Sequence, residues 1–371
     1  MKKVLITANL DSFFIKFLIP YMNFFKEKGF EIHIASKEDG SDIPNVYDQK
    51  FNVNFARSFN VKQNIESYRQ VKKILKENTY DIIFCHTPFG AAITRLAAKD
   101  SRKKGTKVIY VAHGFHFFKG APHINWLLFY SAEKFLSKYT DILLTMNQED
   151  YECASKKFKK TKVCYIPGIG INADKFAFSL SEDEKLNLRR SLNLNEKDFV
   201  GIFPAEISDN KGQMWLIKCL KQTIEQHPNI HILLPGKDLT NGKCQKLINE
   251  LNLQNNIHLL GFRKDIPMLL KIVDFSLSSS KREGLPINIL EAICNKLPVV
   301  ALNCRGMSDL ICHNTNGYLI PMKDETEFRL GIVNLYKNNL KNYKEYDEKI
   351  IDTFSIENVL KEFEKTCKDY I

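Results

Sequence analysis

A chain of 371 residues with 44% hydrophobic and 26% charged content has room for two domains with full cores, which excludes a disordered or low-complexity protein. Its net charge of +11 lies entirely in residues 1–180, with 28 lysines and arginines against 17 acids, whereas 181–371 hold 26 of each. No nucleic-acid motif accompanies that charge, no apolar run reaches the roughly 18 residues of a membrane span, and nine cysteines without a C-x-x-C pair read as free thiols of a reducing cytosol.

The first strand is expected over 3–8; Asp11 and Lys16 interrupt the apolar run behind it, against a signal peptide. A helix follows over 14–28, closed by Gly29, then a strand over 31–36 and a helix over 65–77. Further strands are predicted over 80–85, 107–112, 141–145 and 162–166, with helices over 91–104, 124–138 and 148–157. Such alternation builds parallel βαβ units. Two strands end in histidine, at His86-Thr87-Pro88-Phe89-Gly90 and at Ala112-His113-Gly114. Open α/β sheets bind ligands at the carboxyl ends of their strands, so both histidines are candidate site residues, with Gly114 leaving space beside His113. Asn9-Leu10-Asp11-Ser12 after the first strand is no G-x-G-x-x-G, which argues against a dehydrogenase. Segments 13–28 and 115–138 are rich in aromatics, leucine and lysine. They read either as buried faces of core helices or as a surface for anionic membrane and a lipid-linked acceptor, and the basic charge favours the surface.

Residues 167–194, with a polar middle, are expected to link two domains. The pattern then restarts, with strands over 199–204, 230–234, 257–260, 274–277, 298–301 and 316–320, helices over 213–226, 242–251 and 266–272, and a last helix over 355–370 that Ser355 caps. The predicted domains are 1–175 and 195–350, with 351–371 as a terminal helical segment.

The richest run is Lys281-Arg282-Glu283-Gly284-Leu285-Pro286-Ile287-Asn288-Ile289-Leu290-Glu291-Ala292. A strand, a polar turn and a helix opened by Gly-Leu-Pro make an anion site: Pro286 suits the first helical turn, and the amides near Leu285 to Asn288 face a phosphate with the helix dipole behind them. Glu283 and Glu291 then accept from hydroxyls on either side. Sugar, diphosphate and sugar in one ligand describe a nucleotide-sugar.

Glu283 and Glu291 resemble the E-x7-E signature of the retaining GT-B glycosyltransferases of family 4. The resemblance implies an α/β GT-B fold: two Rossmann-like doubly wound domains facing a central cleft, an N-terminal acceptor domain, a C-terminal donor domain and a last helix that crosses back. It implies that Glu283 contacts the transferred sugar, Glu291 the ribose and His113 the reacting centre. Gly306, in Arg305-Gly306-Met307, matches a glycine loop near the phosphates, and Arg263 lies in a loop, 260–267, that holds the base. Loop 204–213 is similar to G-R-L-x-x-x-K-G: Lys211 matches the lysine, but Glu206 stands at the arginine, and Arg282 is the candidate replacement. His113-Gly114-Phe115-His116-Phe117-Phe118-Lys119-Gly120-Ala121-Pro122 resembles a subgroup building capsule, exopolysaccharide or O-antigen repeat units.

The expected function is transfer of a hexose or N-acetylhexosamine from a nucleotide-diphosphate sugar, preferably a UDP-sugar, to a lipid-linked glycan at the inner face of the membrane. His86 and Gly114 would meet the acceptor. No cofactor is expected, and no metal, because D-x-D is absent. A UDP-sugar epimerase or a non-catalytic partner subunit are the alternatives.

Overall fold

The computed structural model describes residues 1–56, 58–337, 340 and 343–371. They divide into two compact units, Met1–Gly170 with Ile356–Ile371, and Ile171–Ser355.

The first unit is built on seven parallel strands: β1 (Lys3–Leu10), β2 (Glu31–Lys37), β3 (Gln49–Asn52), β4 (Ile82–His86), β5 (Lys107–Ala112), β6 (Ile142–Thr145) and β7 (Lys162–Tyr165). Their order is β3-β2-β1-β4-β5-β6-β7. Helices cover both faces of such a sheet, so β4 and β6 are buried along their whole length. Leu5, Ile83, Val108 and Leu143 from four neighbouring strands share one core cluster. Edge strand β3, Gln-Lys-Phe-Asn, escapes sequence reading because it is polar and only half-buried. The helix expected over 14–28 is split: Phe14–Leu18 winds as a π-helix and Ile19–Glu27 as an α-helix. Pro20 explains the widened turn, since its ring cannot donate to the carbonyl four residues back and crowds it. The buried Tyr21, Met22, Phe24 and Phe25 assign the second half of segment 13–28 to the core. The segment around Trp126–Tyr130 differs, leaving Ile124 (55%), Leu127 (66%), Leu128 (46%) and Phe135 (47%) open to solvent.

The second unit carries six parallel strands, β8 (Phe199–Ile202), β9 (Ile230–Pro235), β10 (Ile257–Gly261), β11 (Phe275–Ser278), β12 (Val299–Leu302) and β13 (Gly317–Ile320), in the order β10-β9-β8-β11-β12-β13. Residues 171–194, expected as linker, belong to this unit: Phe176, Leu192 and Leu194 enter its core. Helix Glu182–Ser191, set by a capping box between Ser181 and Glu184, buries none of its residues, which is why it reads as polar spacer. Helices Glu325–Tyr336 and Tyr343–Phe354, unassigned from sequence, complete the unit. The last helix, Ile356–Cys367, packs in the first unit.

Candidate active site

In the second unit three loops converge because their strands are neighbours. The loop after β8 carries Lys211, the loop after β11 carries Arg282 and Glu283, and the loop after β12 carries Arg305 and Gly306. The first two are tied by main chain: Lys281 N–H donates to Asn210 O at 2.8 Å, and Asn210 Nδ2 donates to Arg282 O at 3.1 Å. Gly212 starts helix Gln213–Gln226 at φ +76°, and a Cβ there would lie 2.5 Å from Ser279 O, so glycine alone permits this approach. Lys211 Nζ then reaches Glu283 Oε1 at 2.6 Å. Arg305 Nε donates to Glu283 O at 3.0 Å, and Gly306, at φ +81°, lies so close to Gly284 that a Cβ would be 2.3 Å from its carbonyl oxygen.

Arg282 is the unusual member. Among the described residues its guanidinium meets no hydrogen-bond acceptor and no carboxylate at salt-bridge distance. Burial and then the like charge of Arg305 push its pKa down, against an opposing pull from Glu283. A partly desolvated arginine next to a second one favours an anion, and a planar guanidinium suits phosphate oxygens. Glu206, in place of the family arginine, is exposed, and its main-chain carbonyl accepts from Gln213 Nε2 at 3.1 Å.

Pro286 is the N-cap of helix Ile287–Cys294 and not a residue of its first turn; its carbonyl accepts from Ile289 N–H at 3.1 Å. The ring still fits, because it fixes the chain entering the helix without losing a helical donor. On that helix Glu291 is largely buried, and no hydrogen bond to its carboxylate forms among the described residues. Burial raises its pKa to about 7, with Lys175 pulling the other way. One turn earlier Asn288 Nδ2 is also buried with no partner among the described residues, so an unmet donor and an unmet acceptor share one helix face. Arg263 is engaged by Asp265 at 2.8 Å in the loop after β10, away from the three converging loops.

In the first unit His86 ends β4 and His113 follows β5, the next strand. The pairing His86↔Val111 brings the two rings together, with His86 Nδ1 and His113 Nε2 3.0 Å apart. His113 is partly open, while His86 is 0% exposed, which corrects the expectation that His86 touches an acceptor. Burial pushes His113 down to about 3, and burial followed by the His113 charge pushes His86 well down, so both rings are neutral near pH 7. Phe13 meets His113 edge-on at 5.0 Å. Gly114 turns the chain at φ +122°, and Phe115 N–H then donates to buried Asp150 Oδ2 at 3.0 Å, which fixes the His113 loop on helix Gln148–Lys157. Thr87, at φ +65°, is a strained non-glycine residue held by Asn9, whose Oδ1 accepts from Thr87 Oγ1 at 2.7 Å and Gly90 N–H at 3.0 Å. Arg305, Asp150, Asn9 and the side chain of Asn288, as distinct from its main-chain amide, were not picked out from sequence. Only the arginine beside Gly306 carried a visible signal.

Two family models match this chain: glycosyl transferase 4-like over residues 3–147 and glycosyl transferases group 1 over residues 184–352. The chain belongs to these glycosyltransferases, and its two parallel-sheet units are those of the GT-B fold. It is 40% identical to EpsD of Bacillus subtilis (strain 168), assigned as a glycosyltransferase, over 90% of this chain and 87% of that protein. It is 27% identical to the UDP-Gal:alpha-D-GlcNAc-diphosphoundecaprenol alpha-1,3-galactosyltransferase of Escherichia coli, covering 92% and 89%. The crystal structure of Anabaena HepE with UDP-glucose superimposes with a TM-score of 0.78 at 19% identity, over all of both chains, and shows the shared fold.

Proposed function

We propose that this glycosyltransferase moves a hexose or N-acetylhexosamine from a UDP-sugar, with retention, to a hydroxyl of a lipid-linked glycan during surface-polysaccharide synthesis. The observation that carries the reading is the cradle of Lys211, Arg282 and Arg305 around the Gly284–Gly306 contact, in which Arg282 meets no acceptor among the described residues. Negative charge grows on the departing diphosphate as the anomeric bond breaks, and fixed cations with the amides of the following helix stabilise it. Glu283 takes the transferred sugar, Glu291 the ribose hydroxyls, and His113 with Gly114 the space beside the reacting carbon. Arg263 serves only through the main chain of its loop, since its side chain is spent on Asp265.

The donor and acceptor classes are supported by the Escherichia coli relative, whose name specifies UDP-galactose and a diphosphoundecaprenol-linked sugar. The exposed apolar side chains of 124–135 and the basic charge of the first half suit contact with an anionic membrane surface at the cytoplasmic face. The proposed attachment is peripheral; among the described residues no helix is long and apolar enough to cross a membrane. The reaction is proposed to need neither cofactor nor metal; activity abolished by EDTA and restored by Mn2+ would reverse that.

Thermal melting with a panel of nucleotide-sugars tests the donor, because a ligand specific for the folded state raises stability by mass action. UDP-sugars should raise Tm, and Arg282→Ala should remove the rise while Glu206→Ala keeps it. Incubation with the stabilising donor and a GlcNAc-diphospholipid should extend the glycan by one sugar. Release of an altered free sugar without any acceptor would identify an epimerase instead.

A further inference from the structure

The pairing of His86 with His113 asks where its one shared proton sits. Both rings are neutral, and the 3.0 Å contact between His86 Nδ1 and His113 Nε2 needs a donor on one side and a lone pair on the other. The other nitrogen of His86, Nε2, is sealed from solvent and has no partner among the described residues. If His113 were the donor, His86 would have to carry its proton on that sealed nitrogen, and an orphaned buried N–H is rarely tolerated. If His86 donates from Nδ1, the sealed nitrogen holds only a lone pair and no N–H is stranded. His113 Nε2 is then the acceptor, and the His113 proton must sit on Nδ1. That atom meets no protein partner among the described residues and, unlike His86 Nε2, is not sealed.

We infer that His86 is a positioning residue that fixes the tautomer of His113, so that His113 presents an Nδ1–H donor to a substrate oxygen and does not act as a base. This rests on the transferase reading for what the oxygen belongs to, a sugar hydroxyl or a phosphate, but not for the tautomer. The fold supports the assignment by holding His86 rigid: Phe84 contacts its ring at 4.3 Å, Phe13 lies 6.0 Å away, and the strained Thr87 follows it, pinned by Asn9.

The test uses full-length protein labelled with 15N-histidine, whose long-range proton–nitrogen correlations distinguish Nδ1–H from Nε2–H. Wild type should show Nδ1–H on both residues. His86→Phe keeps a ring but removes the donor; His113 should shift towards Nε2–H and kcat should fall by about tenfold or more. His86→Asn places an amide donor near the lost Nδ1 and should restore both the tautomer and most of the rate. An Nε2–H on wild-type His86, as if aimed at the Phe84 ring, overturns the inference, as does equal behaviour of the Phe and Asn variants. Wild-type protein with the stated tautomers but no transfer from any donor would leave this assignment standing and sink the transferase reading.

Discussion

Lys211 and Glu283 hold each other at 2.6 Å, with 24% and 11% of their side chains exposed, so each removes part of the other's desolvation cost. Lys211→Met should therefore do two things: leave Glu283 without its cation and remove one charge from the diphosphate cradle. A fall in kcat/KM of about a hundredfold is expected, in the range for losing one preorganised charge at a transition state. Lys211→Arg should lose much less; steady-state kinetics with donor varied checks both. Glu291 makes a pH prediction. Its pKa is raised from 4.5 to about 7 by burial, so the folded protein binds a proton that the unfolded chain has lost across that window. Stability attributable to this group is highest below about pH 4.5, declines as pH rises to about 7, and is flat above. Glu291→Gln should flatten that decline and gain about 1–3 kcal/mol at pH 8, read from denaturant melts. Ribose hydroxyls donating to the ionised carboxylate would reverse the burden. UDP should bind more tightly from pH 6 to pH 8 with release of a proton, and calorimetry in buffers of different ionisation enthalpy would show no release if Glu291 is remote from the ligand.

The elements of the site are loops whose spacing is set by glycine. At Gly306 two demands coincide, a φ of +81° and a backbone neighbour that a Cβ would meet at 2.3 Å. Gly242 has only the first demand, φ +78° with nothing within 4 Å. Gly242→Ala should cost about 1–2 kcal/mol, the left-handed penalty alone. Gly306→Ala should cost more and also weaken UDP binding, because the loops after β11 and β12 must part; equal losses in urea melts would mean that the close approach is not needed. This contact also marks where sequence reading stops. The alternating apolar runs made most strands visible, and the 281–292 run exposed the helix start and both glutamates. Pairings between loops about 70 residues apart, such as Asn210 with Arg282, leave no local trace. The same holds for the burial of His86, which follows from register with β5 and from packing against Phe84. Edge strand β3 and helix Glu182–Ser191, which buries none of its residues fully, were missed for the opposite reason: each buries too little to stamp a period on its sequence.

At the scale of the whole molecule, the chain leaves the first unit after Gly170 and returns to it at Ile356, so the integrity of the first unit depends on its last residues. Phe363 is the anchor of that return. It is fully buried and its ring meets Tyr21 at 5.2 Å, Phe24 at 5.6 Å, Phe25 at 6.0 Å and Phe84 at 5.2 Å. Around it Lys28 pairs with Glu364, and Lys2 Nζ donates to Ile371 O at 2.7 Å. Truncating a large ring in such a cluster leaves a cavity as well as lost transfer energy, so Phe363→Ala should cost the first unit about 3–5 kcal/mol. Calorimetry should resolve the effect by unit: the transition of the first unit falls, while the transition that UDP raises, belonging to the second, stays in place. Phe84 lies two residues before His86 on β4, so the same variant should also loosen the histidine pair, seen as averaging of the His113 nitrogen shifts. If the UDP-sensitive transition fell with the other, the two units would unfold as one cooperative body, and the final helix would serve the whole chain and not the first unit alone.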